Sequence, residues 1–428
     1  MRTTIGMLAV AFYASAAFAQ QPILSPPAAS SPDDSLRLTR QQAVAQALAR
    51  NPQLEAARQQ TAEARGARVQ GIAFPDITAS AALEDQPRVL GVGQSVGLGL
   101  DVPFPDKFRL QNNIGNAGIQ AAQYSYTQLR QLIAAQTAEQ YDSLLVALRH
   151  RSDLTDTRDL AQQFLQKTQA RFTAGTAAKL DVIQGQVDVA QAQNQLIVNT
   201  RAIANAKAGL NRYLNRPLGA PLILMDSLTV PLALPPLSRI EPYALDHRPE
   251  LANLQSQIAG ARATTTLSRE YWLPDLVLGA SRDYTQPGPA LYSAGVAFPL
   301  PLFFFQHTHG EIAQNVARER ELSADAIDMR AQIGQDVRNA YAAASTALEQ
   351  VFFIRDNLLP SAQAVFKSAM ASYSLGGSSA LEVIDARRTL VDAESQYTDA
   401  LAAANMARWD LQRAAGTSLD TFGPGVTP

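Results

Sequence analysis

The chain has 428 residues, a formal net charge of −2, 46% hydrophobic but only 7% aromatic residues, and no cysteine. Without cysteine there are no disulfides, thiolate metal sites, thiol nucleophiles or lipidated N-terminal cysteine. Charges of both signs are mixed along the chain and leave no basic stretch for nucleic acid. Much of the apolar fraction is alanine, which suits long, closely packed helices better than a thick globular core.

Residues 1–19 read as a secretory signal peptide. Arg2 gives a positive start, an apolar run follows from Ile5 to Phe18, and Ala17-Phe18-Ala19 fits the small-x-small cleavage rule before Gln20. The alternative, an uncleaved anchor, needs a longer apolar run. No later segment offers the roughly 20 apolar residues of a spanning helix. A mature chain that spans a membrane must therefore do so as a closed β-barrel. Residues 20–37, rich in proline and serine, form an extended N-terminal segment.

The remainder reads as a tandem duplication, residues 38–215 and 239–417, joined by a proline-rich linker over 216–238 and followed by a tail over 418–428. Asn51-Pro52-Gln53-Leu54 is echoed by Arg248-Pro249-Glu250-Leu251, and Phe74-Pro75-Asp76-Ile77 by Leu273-Pro274-Asp275-Leu276. Val102-Pro103-Phe104-Pro105 is echoed by Phe298-Pro299-Leu300-Pro301. Phe172 to Gly175, running on to Leu180-Asp181-Val182-Ile183, is echoed by Tyr373 to Gly376, running on to Leu381-Glu382-Val383-Ile384. Four matches in one order are the mark of duplication.

Each half begins with a predicted helix, over about 39–71 and 240–272, ended by a Pro-Asp pair. Two runs with period-two alternation follow. In the first half Ile77, Ala79, Ala81 and Leu83 alternate with polar residues, and so do Val96, Leu98, Leu100 and Val102. In the second half Leu276, Leu278 and Ala280 lead out and Tyr292, Ala294, Val296 and Phe298 return. Each run has the length of a tilted strand crossing a bilayer. Phe74, Phe104, Tyr271, Trp272, Phe298 and Phe303 to Phe305 gather at the run ends, as aromatic belts do where lipid meets water. A small soluble β-sandwich is the competing reading of these strands.

Long helices are then predicted over about 106–173 and 306–374. Each is about 100 Å long, more than an ordinary globular domain uses, and each must pack sideways in a coiled coil or tube. Gly175 and Gly376 mark the turns at the hairpin tips, and helices return over about 179–214 and 380–415.

The order of signal peptide, helix, strand pair and long helical hairpin, duplicated, resembles the TolC-type outer membrane efflux proteins over almost all of the mature chain. The tip motif is its most specific feature: aromatic, two residues, glycine, five residues, acid, then an apolar pair. The resemblance implies a mostly α fold with a small membrane β-barrel portion. Long helical hairpins of a homotrimer would form an α-barrel, and four strands per chain a shared 12-stranded β-barrel. It implies an outer-membrane channel of a tripartite efflux or type I secretion system, without cofactor or enzymatic activity. A periplasmic adaptor protein and an inner-membrane pump would be its partners, and outer-membrane lipid its surroundings. The competing reading is a periplasmic coiled-coil adaptor or structural protein without a barrel.

Glu382 and Asp385, three apart on a predicted helix, share one face. Read from the residues alone this is a solvated face with Arg387 and Arg388 nearby. The resemblance implies two stacked acidic rings at a periplasmic gate, a recurrent device for cation selectivity. The first copy has Asp181 but Gln184, so only the second carries the pair. By position in the family motif, Asp181 and Tyr373 are candidates for a latch that holds the tips shut. Ser378 stands where the family's best-known member has a latch arginine, a departure that bears on the latch's salt bridge.

His307-Thr308-His309 is a weak candidate for metal, since a site needs three or four ligands and a second shell. It reads better as a polar boundary at the membrane interface. His150 reads as an exposed helix position and His247 as a local turn residue. There is no phosphate-binding loop, His-Glu-x-x-His or Gly-x-Ser-x-Gly motif. Gly91, Gly93, Gly97 and Gly99 read as hairpin and strand glycines.

Overall fold

A computed structural model describes residues 36–86, 91–231, 233–285, 289–299 and 304–423. The expected signal peptide, most of the extended N-terminal segment and the end of the tail lie outside these residues. The same order of elements occurs twice. The first pass runs β1 (Leu36–Leu38), α1 (Arg40–Arg50), α2 (Pro52–Gly71), β2 (Thr78–Gln86), β3 (Gly91–Val102), α3 (Pro105–Thr173) and α4 (Lys179–Tyr213). The second runs β4 (Leu222–Leu224), α5 (Leu237–His247), α6 (Pro249–Arg269), β5 (Leu276–Thr285), β6 (Leu291–Ala297), α7 (Phe304–Phe353), α8 (Leu359–Ser374) and α9 (Ala380–Ala415).

The first helix of each half is two helices, not one. Pro52 and Pro249 stand at the first position of α2 and α6. Proline fits there, but it forces the preceding residue out of the helical region. Asn51 and Arg248 accordingly have ψ of 124° and 128°. Asn51 also caps α2, its side-chain oxygen accepting from Gln53 N at 2.9 Å.

The long helix predicted over 306–374 is likewise interrupted. A π-turn, Ile354–Leu358, separates α7 from α8 just ahead of Pro360. Proline lacks the N–H that would continue the ladder, and a local π-turn absorbs the misfit. The uninterrupted α3 has 69 residues, about 100 Å of helix. The linker contributes a short strand: β4 pairs parallel with β1, which ties the chain between the repeats back to its beginning.

β2, β3, β5 and β6 form one antiparallel sheet in that order. The register places Ala79 opposite Leu98, Leu98 opposite Ala280, and Ala280 opposite Ala294. One face therefore carries Ala79, Ala81, Val96, Leu98, Leu278 and Val296. Arg282, toward the far end of that face, lies 5.3 Å over the Tyr292 ring. The other face carries Thr78, Ser80, Ser95, Gly97, Gly99, Ser281 and Ser293. Here the strands lie close: a Cβ added at Gly99 would meet Thr78 Oγ1 at 2.7 Å. Val96 is 60% exposed and Val296 60% exposed, so nothing among the described residues covers the apolar face. Phe74, Phe104, Tyr271, Trp272 and Phe298 are exposed at the helix-proximal ends of the strands. Phe303 lies outside the described residues, as do the side chains of Phe304 and Phe305.

Two cores hold the middle of the molecule. Ile133, Tyr141, Leu210 and Leu214 pack with Leu38 and Ala43 in the first repeat, and Ile240, Ile333, Val337 and Leu411 pack together in the second. A buried polar junction joins them. Asp142 on α3 is fully buried and accepts from Arg40 Nε at 2.8 Å and from Trp409 Nε1 at 3.0 Å. Burial raises the Asp142 carboxyl above the usual range, against the opposing pull of Arg40 and Trp409. Tyr141 donates to Leu38 O at 3.0 Å, and burial pushes its hydroxyl up to about 12.

Candidate functional site

The candidate site is the end of the two helical hairpins. α3 and α8 each stop at a glycine with positive φ, Gly175 at 76° and Gly376 at 82°. The turns repeat bond for bond. Thr176 N donates to Arg171 O and Gly377 N to Ser372 O, both at 2.9 Å. Gly175 N donates to Phe172 O at 2.9 Å and Gly376 N to Tyr373 O at 3.0 Å. These bonds satisfy the last carbonyls of each helix and need a residue free to adopt the left-handed region.

The equivalent aromatic residues part company. Phe172 is 45% exposed and Tyr373 only 3%. Tyr373 donates from its hydroxyl to Thr168 Oγ1 at 3.3 Å, and its ring centroid lies 5.4 Å from that of Phe164. Both contacts are on α3, so Tyr373 fastens the second hairpin to the first. Around it Phe164, Ala380, Val383 and Ile384 form a small core at the tip. Asp181, the other latch candidate, has a local partner: its Oδ2 accepts from Ala178 N at 3.3 Å and caps α4.

Two linking residues escaped the sequence reading. Arg171 donates to Tyr373 O at 2.5 Å and to Thr176 O at 3.1 Å, and its guanidinium lies 4.4 Å over the Tyr373 ring. It stands immediately before the tip motif, where its counterpart Ser372 gives no hint of a shared role. The second is Arg387, expected on a solvated face. It is instead buried at 5% exposure and ion-paired with Asp188 of α4, itself 2% exposed. Asp188 Oδ2 and Arg387 Nε and Nη1 are buried without a hydrogen-bond partner among the described residues. The signal was available in part, since Arg387 is two residues from Asp385 and so turned toward the opposite side of the helix.

Glu382 and Asp385 are both exposed on α9, while Val383, Ile384 and Ala386 between and beside them are buried. Ser379 caps this helix, accepting from Glu382 N at 3.3 Å. Arg388 Nη1 stands 3.9 Å from Asp385 Oδ1. Ser378, at the position of the family's latch arginine, donates to Ala369 O at 3.2 Å and so closes its own turn. The arrangement is thus an acidic face held outward by a packed inner face.

The histidines take local roles. His150 Nε2 lies 3.0 Å from Asp399 Oδ1, joining α3 to α9. His247 ends α5, stacks on Tyr243 at 4.0 Å and bonds its carbonyl at 3.1 Å. His309 is exposed near the start of α7, and the side chain of His307 lies outside the described residues. Among the described residues no three His, Asp or Glu side chains gather as a metal site would. No described helix is long and apolar enough to cross a membrane.

A family profile described as "Outer membrane efflux protein" matches residues 43–216 and 242–417, one match in each half. The chain belongs to the outer membrane efflux protein family. As in that family, it is an outer-membrane channel component of an efflux system, with its helical hairpins extending into the periplasm. Among curated relatives, the cobalt-zinc-cadmium resistance protein CzcC of Cupriavidus metallidurans is 24% identical over 89% of this chain and 90% of its own length. The toluene efflux pump outer membrane protein TtgF of Pseudomonas putida is 29% identical over 52% of this chain and 48% of its own. The solved outer-membrane channel OprN superposes with a TM-score of 0.77 at 18% identity, covering 89% of this chain and 90% of that one. That likeness establishes the fold.

Proposed function

We propose that three copies of this chain form a passive export duct, a 12-stranded β-barrel in the outer membrane continued by a tube of helices across the periplasm. The observation that carries this reading is the four-stranded sheet. It has an apolar face and a small, polar face, and among the described residues its outer strands β2 and β6 each leave one edge open. Open edges cannot face lipid, because every unpaired N–H and C=O there costs several kcal/mol. Closure on further copies removes the edges, turns the apolar face to lipid and leaves glycine and serine lining the lumen.

In this reading the hairpin tips are the periplasmic gate. Glu382 and Asp385, repeated threefold, form two acidic rings at the mouth, while Tyr373 and Asp181 hold the tips shut through their helices. The tips dock on a periplasmic adaptor, which connects the duct to an inner-membrane pump that supplies the energy. A duct design shared by relatives named for cobalt, zinc and cadmium and for toluene selects little cargo by itself. The pump is where cargo is chosen.

Single-channel recording in planar bilayers tests the gate. Glu382→Gln with Asp385→Asn is expected to lower the preference for cations over anions severalfold. Tyr373→Phe with Asp181→Ala is expected to raise conductance. Unchanged selectivity in the first variant and unchanged conductance in the second would remove the gate from these residues.

A further inference from the structure

A cavity of about 380 Å³ lies between the two hairpins, lined by α3, α4 and α9. Asp153 of α3 is on its wall, roughly 30 Å of helix from the turn at Gly175, so the cavity stands apart from the tips. Leu154 of α3, Val198 and Ala202 of α4 and Val391 of α9 give it apolar surface. A volume of this size suits a small organic molecule.

Two acceptors on its walls have no donor. Asn199 of α4 is 8% exposed. Its Nδ2 donates to Ala147 O at 3.3 Å, and its Oδ1 is buried without a hydrogen-bond partner among the described residues. Glu394 of α9 is half-buried and has no hydrogen bond or ion pair among the described residues. The charged groups around it are already engaged. Asp153 accepts from Arg149 Nε at 3.1 Å and from Thr398 Oγ1 at 3.0 Å, and His150 pairs with Asp399 at 3.0 Å. Burial, with Asp153 and Asp156 close by, raises the Glu394 carboxyl, and Arg149 only partly offsets them. Buried acceptors are ordinarily matched by donors, so this pair asks for a donor that carries positive charge.

We propose that this cavity binds a small primary amine in its ammonium form, with its N–H donors toward Glu394 and Asn199 Oδ1 and its aliphatic stem against Leu154, Val198 and Val391. A metal ion fits the site less well. It needs several ligand atoms converging on one point, and among the described residues no three His, Asp or Glu side chains do so. An ammonium group asks for less convergence. Its three donors radiate from one nitrogen and can serve acceptors carried by different helices. An aliphatic stem also uses the apolar walls, which a hydrated metal ion would leave wet.

The site is complete within one chain. It uses none of the residues assigned to the gate, and it stands whether or not three copies close a barrel. Both hairpins contribute to it, α3 and α4 from the first repeat and α9 from the second. A bound amine therefore ties the hairpins together partway along their length.

Titration calorimetry on the full chain in mild detergent, at mildly alkaline pH, tests this with three probes. n-Hexylammonium carries charge, stem and N–H donors. Hexyltrimethylammonium keeps the charge and stem but has no N–H, and 1-hexanol keeps the stem without the charge. Saturable binding of one n-hexylammonium per chain is expected, about tenfold or more tighter than either of the others. Glu394→Gln, checked for retained helix by circular dichroism, is expected to weaken n-hexylammonium by about tenfold. Glu321→Gln, on exposed α7, is expected to leave it unchanged. Absence of saturable n-hexylammonium binding overturns the proposal. So does hexyltrimethylammonium binding as tightly, which would show charge or micelle partitioning alone, and so does undiminished binding by a folded Glu394→Gln variant. The comparison of probes on the unaltered protein decides the matter even where that variant fails to fold.

Discussion

Asp188 and Arg387 join the two hairpins through a buried ion pair whose remaining polar atoms lack partners among the described residues. Such a pair contributes little net stability, because burial strips both charges of water. Removing one partner is another matter, since it leaves an uncompensated buried charge. Arg387→Met or Asp188→Leu alone is expected to destabilise the hairpin contact by about 3–5 kcal/mol, and the double substitution to restore most of that loss. Thermal unfolding followed by circular dichroism checks this, and additive losses in the double variant would contradict it. The tip glycines were legible in the sequence because positive φ restricts residue choice so strongly. Arg171 was not, because nothing local marks a side chain that reaches 202 positions along the chain to the Tyr373 carbonyl.

At the scale of elements, hydrophobic periodicity placed the strands and the long helices within a few residues. What it missed were interruptions that leave the periodicity intact. The breaks before Pro52 and Pro249 turn on a clash at a single preceding residue. Their capping chemistry differs between the halves. Asn51 caps by its own side chain, whereas Arg248 pairs with Glu250 at 2.6 Å and with Asp336 at 3.4 Å. Helix packing also creates a pH-sensitive element. Burial between α3 and α9, reinforced by Asp153 and Asp156, raises the Glu394 carboxyl above its ordinary value of 4.5. The folded state therefore holds this proton more tightly than the unfolded chain, and stability falls as pH rises from 4.5 through the raised value. Glu394→Gln is expected to flatten that slope and to raise the melting temperature at neutral pH. A melting temperature that falls at neutral pH, with the slope unchanged, would show that Glu394 is not its source.

At the scale of the whole molecule, the proposed trimer rests on what one chain leaves unpaired. Among the described residues, the outer strands β2 and β6 of its sheet each pair on one side alone. The duplication was plain in the sequence because four motifs recur in order. It explains why one chain supplies four strands and two hairpins. The pairing of β3 with β5, which joins the two repeats into one sheet, was not legible there, because register is set by cross-strand partners far apart in the chain. In the proposed duct this surface closes on two more copies of itself in the outer membrane. The direct measurement is the native mass of the species extracted from that membrane in mild detergent, corrected for bound detergent. Three chains per particle are expected, migrating as one chain after boiling. A single chain, or a protein released in the soluble periplasmic fraction, would contradict it.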